Sequence, residues 1–233
     1  QENNGKSAAR NSGVKAASSD LIIITDSDMI PDPYFIQSHY DAQCSVSTPT
    51  CFEGVTYNMF VEEWPSIDSN FFPYIKESLK PRQSLGFWYF LTGNISFPKA
   101  LFLKFQGFDE SFKSYGWEDL ELGYRMSKDK IPLLYLEEAK NYHYHVISKR
   151  EEIERCVSKG ESAKRFLSKH PKLKWFLGLN PLSIFIFNRL SFDGWVLKLF
   201  ERWFNASELT LRHRFSFWFL KEYHYLLGIL GEK

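Results

Sequence analysis

Short apolar runs alternate with polar segments along the chain, in the rhythm of strands and helices. Residues 5–19, GKSAARNSGVKAASS, set Ala8, Ala9, Val14, Ala16 and Ala17 on a narrow apolar face. That spacing predicts a helix of small residues, entered through Gly5 and able to lie close against a sheet. Asp20 then precedes LIIIT, an unbroken run of apolar and β-branched residues. A run without alternation predicts a strand buried on both faces, as in a parallel sheet. It stops at Asp26-Ser27-Asp28, and Pro31 and Pro33 forbid its continuation. Acidic side chains therefore sit at the carboxyl end of a central strand, the edge where open α/β sheets bind ligands.

Further along, residues 34–48 read as a helix leading to a strand, and residues 52–84 as a long irregular loop with short helices. FWYFLTGNISFPK reads as a strand or strand pair broken at Thr92-Gly93-Asn94. Residues 101–128 read as a helix, a Gly-rich turn and a second helix over Glu118–Ser127, with Leu120, Tyr124 and Met126 on or near one side. Glu118 and Asp119 fall in its first turn, where the helix dipole favours carboxylates. IPLLYL is a short strand followed by NYHYH. Residues 151–170 form a charged amphipathic helix, and two or three aromatic helical stretches follow from Lys172. The pattern as a whole is α/β over residues 1–150 with a helical extension over 151–233.

Composition sharpens this picture. With 233 residues, 44% hydrophobic and 24% charged, the chain is a folded one of about one α/β domain plus an appendage. Lys and Arg number 29 against 28 Asp and Glu, which argues against a nucleic-acid partner held by bulk electrostatics. The charge is uneven: residues 1–150 carry 15 basic and 19 acidic side chains, residues 151–233 carry 14 and 9. The basic, aromatic tail is therefore expected to face an anionic surface. Cys44, Cys51 and Cys156 show no CxxC spacing, which fits a reducing, cytoplasmic compartment and no zinc cluster. The first residues are polar, and no basic-then-apolar leader follows them.

Three clusters could carry chemistry. Asp26 and Asp28, one residue apart at a strand end, repel each other unless a cation joins them, and Mg²⁺ or Mn²⁺ with a diphosphate is one solution. An exposed turn that caps a following helix is the other. In GWEDLELGYR, Asp119 lies beside Glu118 and Trp117, and desolvation and repulsion should raise its pKa toward that of a general base. Simple helix capping would use the same residues. His143 and His145 alternate with Tyr142 and Tyr144; on a strand both imidazoles share one face, as ligands for a Mn²⁺-type ion or as polar residues of an edge strand.

The segments GKSAARNSGVKAASSDLIIITDSDMIPDPYF and TGNISFPKALFLKFQGFDESFKSYGWEDLELGYR together resemble family 2 glycosyltransferases of the GT-A fold. The resemblance is to the branch with a galactosyltransferase-type C-terminal region, which includes bacterial chondroitin and capsule polymerases. It covers roughly residues 3–150. It implies a mixed, Rossmann-like sheet flanked by helices. It implies that Lys6, Arg10 and Asn11 contact the nucleotide, that Asp26 reaches ribose or metal, and that Asp28 ligates the metal. Gly93 and Asn94 would line the sugar pocket, Trp117 would pack on sugar, and Glu118 would bind acceptor hydroxyls. Asp119 would be the base of an inverting transfer. His143, or His145 as second choice, would complete the shell of Mn²⁺ or Mg²⁺. The implied partners are a nucleotide-sugar donor, UDP-linked, and a glycan or lipid-linked acceptor. Domains of this family begin with a further strand–helix–strand unit before the ARN segment, so this chain on its own is expected to bind donor poorly and to turn over little.

The tail interleaves Trp175, Phe185, Trp195, Trp203 and Trp218 with Arg189, Lys198, Arg202 and Arg214. Apolar and basic residues on short helices suit a membrane interface, which predicts peripheral contact through 172–233 on the inner face of the plasma membrane. A helical cap on the core or on a second copy would use the same composition. The competing functional readings are a non-catalytic glycan- or nucleotide-binding remnant and a membrane-associated interaction module.

Overall fold

The computed structural model describes residues 5–59, 71–73, 79–144, 148–206 and 210–231. The chain divides into two compact units, residues 1–111 with 118–146, and residues 112–117 with 147–233.

The first unit is a curled mixed sheet with helices. Helix α1 (Lys6–Ala16) buries Ser7, Ala8, Asn11 and Val14, a stripe at the three- and four-residue spacing of one helical face. Strand β1 (Leu21–Ile24) leads through a turn, closed by the Met29 amide donating to the Asp26 carbonyl, into β2 (Met29–Pro31). Helix α2 (Phe35–Cys44), β3 (Cys51–Met59), β4 (Phe71–Pro73) and β5 (Ile95–Pro98) follow. Then come α3 (Lys99–Lys104), α4 (Glu118–Lys128) and β6 (Leu133–Tyr144). The sheet order is β1-β5-β3-β6-β2, with β4 also paired to β3. Among the described strands only β3 and β6 run parallel; the other pairings are antiparallel.

Strands β1 and β2 end this order on opposite sides, yet four residues join them. From Cα24 to Cα29 the chain reaches at most about 18 Å, while four strand spacings of a flat sheet span about 19 Å. The turn shortens the reach further, so the sheet curls and Asp26-Ser27-Asp28 closes it at the carboxyl end of β1.

Four sequence readings are corrected here. LIIIT is not a central parallel strand: among the described strands β1 pairs only with β5, antiparallel, and its burial alternates, with Ile22 and Ile24 inside. Four consecutive apolar residues hid that alternation because Leu21 and Ile23 are themselves half-buried. The stretch expected to be a loop begins with β3, a central strand. Its Glu53, Gly54 and Asn58 break any β-propensity signal. The residues before Thr92 form a 3₁₀ turn (Phe87–Tyr89) rather than a strand, and IPLLYL continues through NYHY as one twelve-residue strand.

Strand β6 can be that long because it bulges. Gly54 faces Leu136 but Val55 faces Lys140, so residues 137–139 are skipped. Asn94 plugs the gap: its Nδ2 donates to the Val55 and Ala139 carbonyls at 3.0 and 2.9 Å. Its Oδ1 is therefore the acceptor for His39 Nε2 at 2.9 Å, and His39 Nδ1 accepts from the Ser96 hydroxyl at 2.9 Å. Burial holds this imidazole neutral, its pKa lowered to about 4 against the pull of Asn94. The stability it lends is complete above pH 6.5 and is lost as pH falls toward 4. The larger core packs Phe90, Phe97, Phe102 and Phe108 with Leu122 and Met126.

In the second unit, α5 (Lys149–Lys169) starts with a capping box between Ser148 and Glu151. Helices α6 (Pro181–Asp193), α7 (Trp195–Ala206) and α8 (Leu211–Leu230) follow. Asn180 and Thr210 cap α6 and α8 through the amides of Ser183 and His213. Helices α5 and α8 cross at Gly160 and Gly228, where a Cβ on either would lie 2.1 Å from a carbonyl oxygen of the other helix. Residues 112–117 join this unit: the Tyr115 amide donates to Ser158 Oγ and Ser114 Oγ to Glu161, both at 2.9 Å. No helix among the described residues is long and apolar enough to cross a membrane.

Gly54 and Gly13 give opposite predictions. A Cβ at Gly54 would lie 2.2 Å from Asn94 Oδ1 and 2.5 Å from the Ala139 carbonyl, and the backbone oxygen cannot yield. Gly54→Ala should cost about 3 kcal/mol or more in urea unfolding. Gly13, exposed in α1 with nothing within 4 Å of its Cβ position, should gain about 0.5–1 kcal/mol as Ala.

Candidate functional site

The turn that closes the sheet gathers charged groups from four elements of the first unit. Arg10, on α1 one residue before the buried Asn11, extends its guanidinium between two carboxylates. Nη2 donates to Asp26 Oδ1 at 2.8 Å and Nη1 to Glu118 Oε1 at 2.7 Å. Burial opposes the Arg10 charge and the carboxylates overcome it, so its pKa lies above the ordinary value. Glu118 is buried, and its second oxygen has no hydrogen-bond partner in the described structure.

Asp119 follows at the start of α4, with Oδ1 accepting the Leu120 amide at 2.8 Å. Burial, then the neighbouring Glu118 charge, push its pKa up to about 7, against the downward pull of that amide and of Arg10. Behind it lies Glu53 of β3, fully buried, with Oε2 accepting the Leu91 amide at 3.1 Å. Burial drives the Glu53 pKa well up, and the Asp119 charge adds to this against the pull of that amide. The sequence reading missed Glu53 because it placed β3 in a loop. A lone acid within an otherwise apolar and β-branched CFEGVTY run was the signal available.

On the other side of the turn, Asp28 Oδ2 lies 3.3 Å from His143 Nε2. The pairing of Met29 with His143 in the β2–β6 register brings them together, held by the Tyr144 amide donating to the Asp28 carbonyl at 2.8 Å. The bulge plugged by Asn94 sets this register, since it decides which β6 residues face β3 and β2.

The remaining predicted residues are placed as follows. Lys6 is exposed in the first turn of α1. Asn11 spends its amide on the 108–110 turn, donating to the Phe108 carbonyl and Glu110 and accepting the Phe108 amide. Gly93 lies under the acidic turn; a Cβ there would meet Met29 Cε at 2.9 Å and approach Asp26 Oδ2 at 4.0 Å. Asn94 has no exposed surface, so its bearing on a pocket passes through the backbone it fixes. Trp117 has a positive φ of 72°, and its ring contacts Phe166, Phe176 and Tyr225 of the second unit. His145 lies outside the described residues, and among those residues no group of three His, Cys, Asp or Glu side chains is arranged to hold a metal. Asp28 and His143 offer one oxygen and one nitrogen. That pair would hold a Mn²⁺-type ion only with further oxygen ligands, and fits Mg²⁺, which takes oxygen ligands, less well. Asp26 Oδ1 pairs with Arg10.

The model of "Glycosyl transferase family 2" matches residues 1–105, and that of "N-terminal domain of galactosyltransferase" matches residues 74–149. Over these residues the chain is similar to family 2 glycosyltransferases. Among curated relatives, it is 28% identical over 151 residues to validoxylamine A glucosyltransferase of Streptomyces hygroscopicus subsp. jinggangensis, covering 54% of this chain and 36% of that protein. It is 26% identical over 178 residues to chondroitin synthase of Escherichia coli, covering 64% and 26%. It is 26% identical over 187 residues to hyaluronan synthase of Pasteurella multocida, covering 66% and 19%. The chain thus spans about a third or less of these relatives' lengths. The structure of Staphylococcus aureus TarS 1–349 in complex with UDP superposes with a TM-score of 0.47 at 12% identity, over 98% of this chain and 71% of that one, a likeness too loose to bear on function. Both matched regions carry parts of the charged cluster: Arg10, Asp26, Asp28 and Glu53 in the first, Glu118, Asp119 and His143 in the second.

The raised Asp119 pKa has a thermodynamic consequence. The folded state binds more protons than the unfolded between about pH 4 and 7, so this residue's contribution is complete below pH 4 and lost as pH rises to 7. Asp119→Asn removes the effect. The variant should gain about 2 kcal/mol on wild type between pH 4 and 7.5 in urea unfolding, a figure reduced for the carboxyl's partial exposure. A difference independent of pH would show that Asp119 titrates normally.

Proposed function

We propose that this chain carries the catalytic centre of a metal-dependent, inverting sugar transfer. The donor is a nucleoside-diphosphate sugar, UDP-linked, and the acceptor is a hydroxyl of a glycan or lipid-linked glycan in bacterial surface polysaccharide synthesis. The observation that supports it best is the Asp119 carboxyl, with a pKa of about 7, beside Glu118 at the start of α4, where Arg10 joins α4 to the acidic turn. A carboxylate so poised accepts a hydroxyl proton near neutral pH, which an ordinary carboxylate does poorly.

In this reading the unpartnered oxygen of Glu118 accepts a hydrogen bond from the acceptor sugar and orients it. Asp119 takes the proton of the attacking hydroxyl as its oxygen bonds to the anomeric carbon. The bond from that carbon to the diphosphate oxygen breaks on the opposite face, its electron pair leaves with the nucleoside diphosphate, and the configuration inverts. The transition state has oxocarbenium character, as in glycoside hydrolysis. Asp28 and His143 would hold the divalent ion, whose chemistry is to neutralise charge on the departing diphosphate. Arg10 keeps Asp26 and Glu118 apart and in place, and with Lys6, one turn earlier on α1, it would meet the nucleotide. Nucleotide sugars are cytoplasmic substrates in this scheme, and residues 172–233 make the membrane contact that a lipid-linked acceptor calls for.

Two variants separate binding from chemistry, tested with UDP and UDP-sugars in large excess because donor binding is expected to be weak. Mn²⁺ with UDP should raise the midpoint of heat unfolding of the wild type, and Asp28→Asn should abolish the rise. Asp119→Asn should keep the rise and reduce transfer from UDP-sugars by about 10²–10⁴-fold. Transfer by Asp119→Asn at the wild-type rate would refute the assignment of the base. Stabilisation unaffected by Asp28→Asn would refute that of the metal ligand.

A further inference from the structure

The longest carboxylate-free stretch of the second unit contains a helix that exposes an apolar face. From Ser162 to Phe192 there is no Asp or Glu, while Lys164, Arg165, Lys169, Lys172, Lys174 and Arg189 add six positive charges in a chain whose net charge is +1. Helix α6 lies in this stretch. Its Phe187 is 2% exposed and packs on Tyr223 of α8, with ring centroids 5.3 Å apart. On the opposite side Leu182, Phe185 and Ile186 recur at the three- and four-residue spacing of one helical face, and are 66%, 65% and 44% exposed. Arg189 continues the same face one turn on and is exposed. In the segment leading into α6, Trp175 is 63% exposed between the exposed Lys174 and the buried Leu177.

A protein interface core would be depleted of charge, and a solvated helix would not present Leu, Phe and Ile outward on one face. An apolar face fringed by cations, with Trp at its margin, is the pattern of a helix lying in the headgroup region of an anionic bilayer. At 13 residues α6 is about 20 Å long, too short to span a bilayer of about 30 Å.

We propose that α6 and the turn before it are a monotopic membrane-docking element. Leu182, Phe185 and Ile186 enter the acyl boundary, and Lys172, Lys174 and Arg189 meet anionic lipid headgroups. This rests on the reading of residues 172–233 as the membrane-contact segment, and it is independent of the transferase assignment.

The test is flotation of the full 233-residue chain with vesicles of phosphatidylcholine alone and with about 30% phosphatidylglycerol. Binding should require the anionic lipid, weaken on raising NaCl from about 0.1 to 0.5 M, and fall about tenfold or more in Phe185→Ser/Ile186→Ser. These side chains are exposed, so that variant should keep the wild-type unfolding midpoint; Lys172→Glu/Lys174→Glu, which leaves the apolar face intact, should also reduce binding. No flotation with anionic vesicles, or flotation indifferent to both variants, would overturn the proposal. So would a dimer, seen by light scattering, that Phe185→Ser/Ile186→Ser dissolves, because the face would then belong to a second copy. Neither failure would touch transfer measured on a soluble acceptor.

Discussion

The double ion pair of Arg10 ties the candidate site together. It links α1 to the end of β1 through Asp26 and to the start of α4 through Glu118, segments more than a hundred residues apart in sequence. A buried guanidinium is tolerated only when its donors are matched, and two carboxylates match it. The same arrangement sets the electrostatics of Asp119. Glu118 raises the Asp119 pKa and Arg10 lowers it, with burial the larger influence. Neutralising Arg10 would leave two carboxylates facing each other at the closure of the sheet.

The second constraint is the β6 bulge. Without residues 137–139 looped out, His143 would not stand opposite Met29 and beside Asp28. Asn94 holds that bulge by hydrogen bonds and Gly54 by having no side chain, so fully buried residues position a half-exposed pair. The close approach of Gly93 to Met29 and Asp26 extends the same packing to the underside of the acidic turn. Chemistry at the surface is thus specified by hydrogen-bonded polar groups within the sheet.

Much of this was legible in the sequence because the signals are local. The small-residue helix α1, the Pro-terminated DSD turn and the start of α4 at Glu118 each announce themselves within a few residues, and the structure brings Arg10, Asp26, Glu118 and Asp119 into one cluster. What was not legible depends on distant contacts. Glu53 and Gly54 look like loop residues until Asn94 and Asp119 are placed around them. The edge position of β1 could not be read from LIII, since burial on a curled sheet depends on which strands lie beside it. The ring contacts of Trp117 follow from its left-handed backbone and from helices that begin thirty residues later, neither of which its immediate neighbours encode.

The two matched family regions meet at this cluster, and the account stands or falls on whether it gathers around one divalent ion and one donor. Anomalous diffraction at the manganese edge, from crystals grown with Mn²⁺ and UDP, is the direct measurement. The account predicts a single strong peak between Asp28 and His143, touching the diphosphate, with the Asp119 carboxylate open to the space where the donor sugar would attach. A nucleotide bound elsewhere, or a manganese peak remote from Asp28, would contradict it.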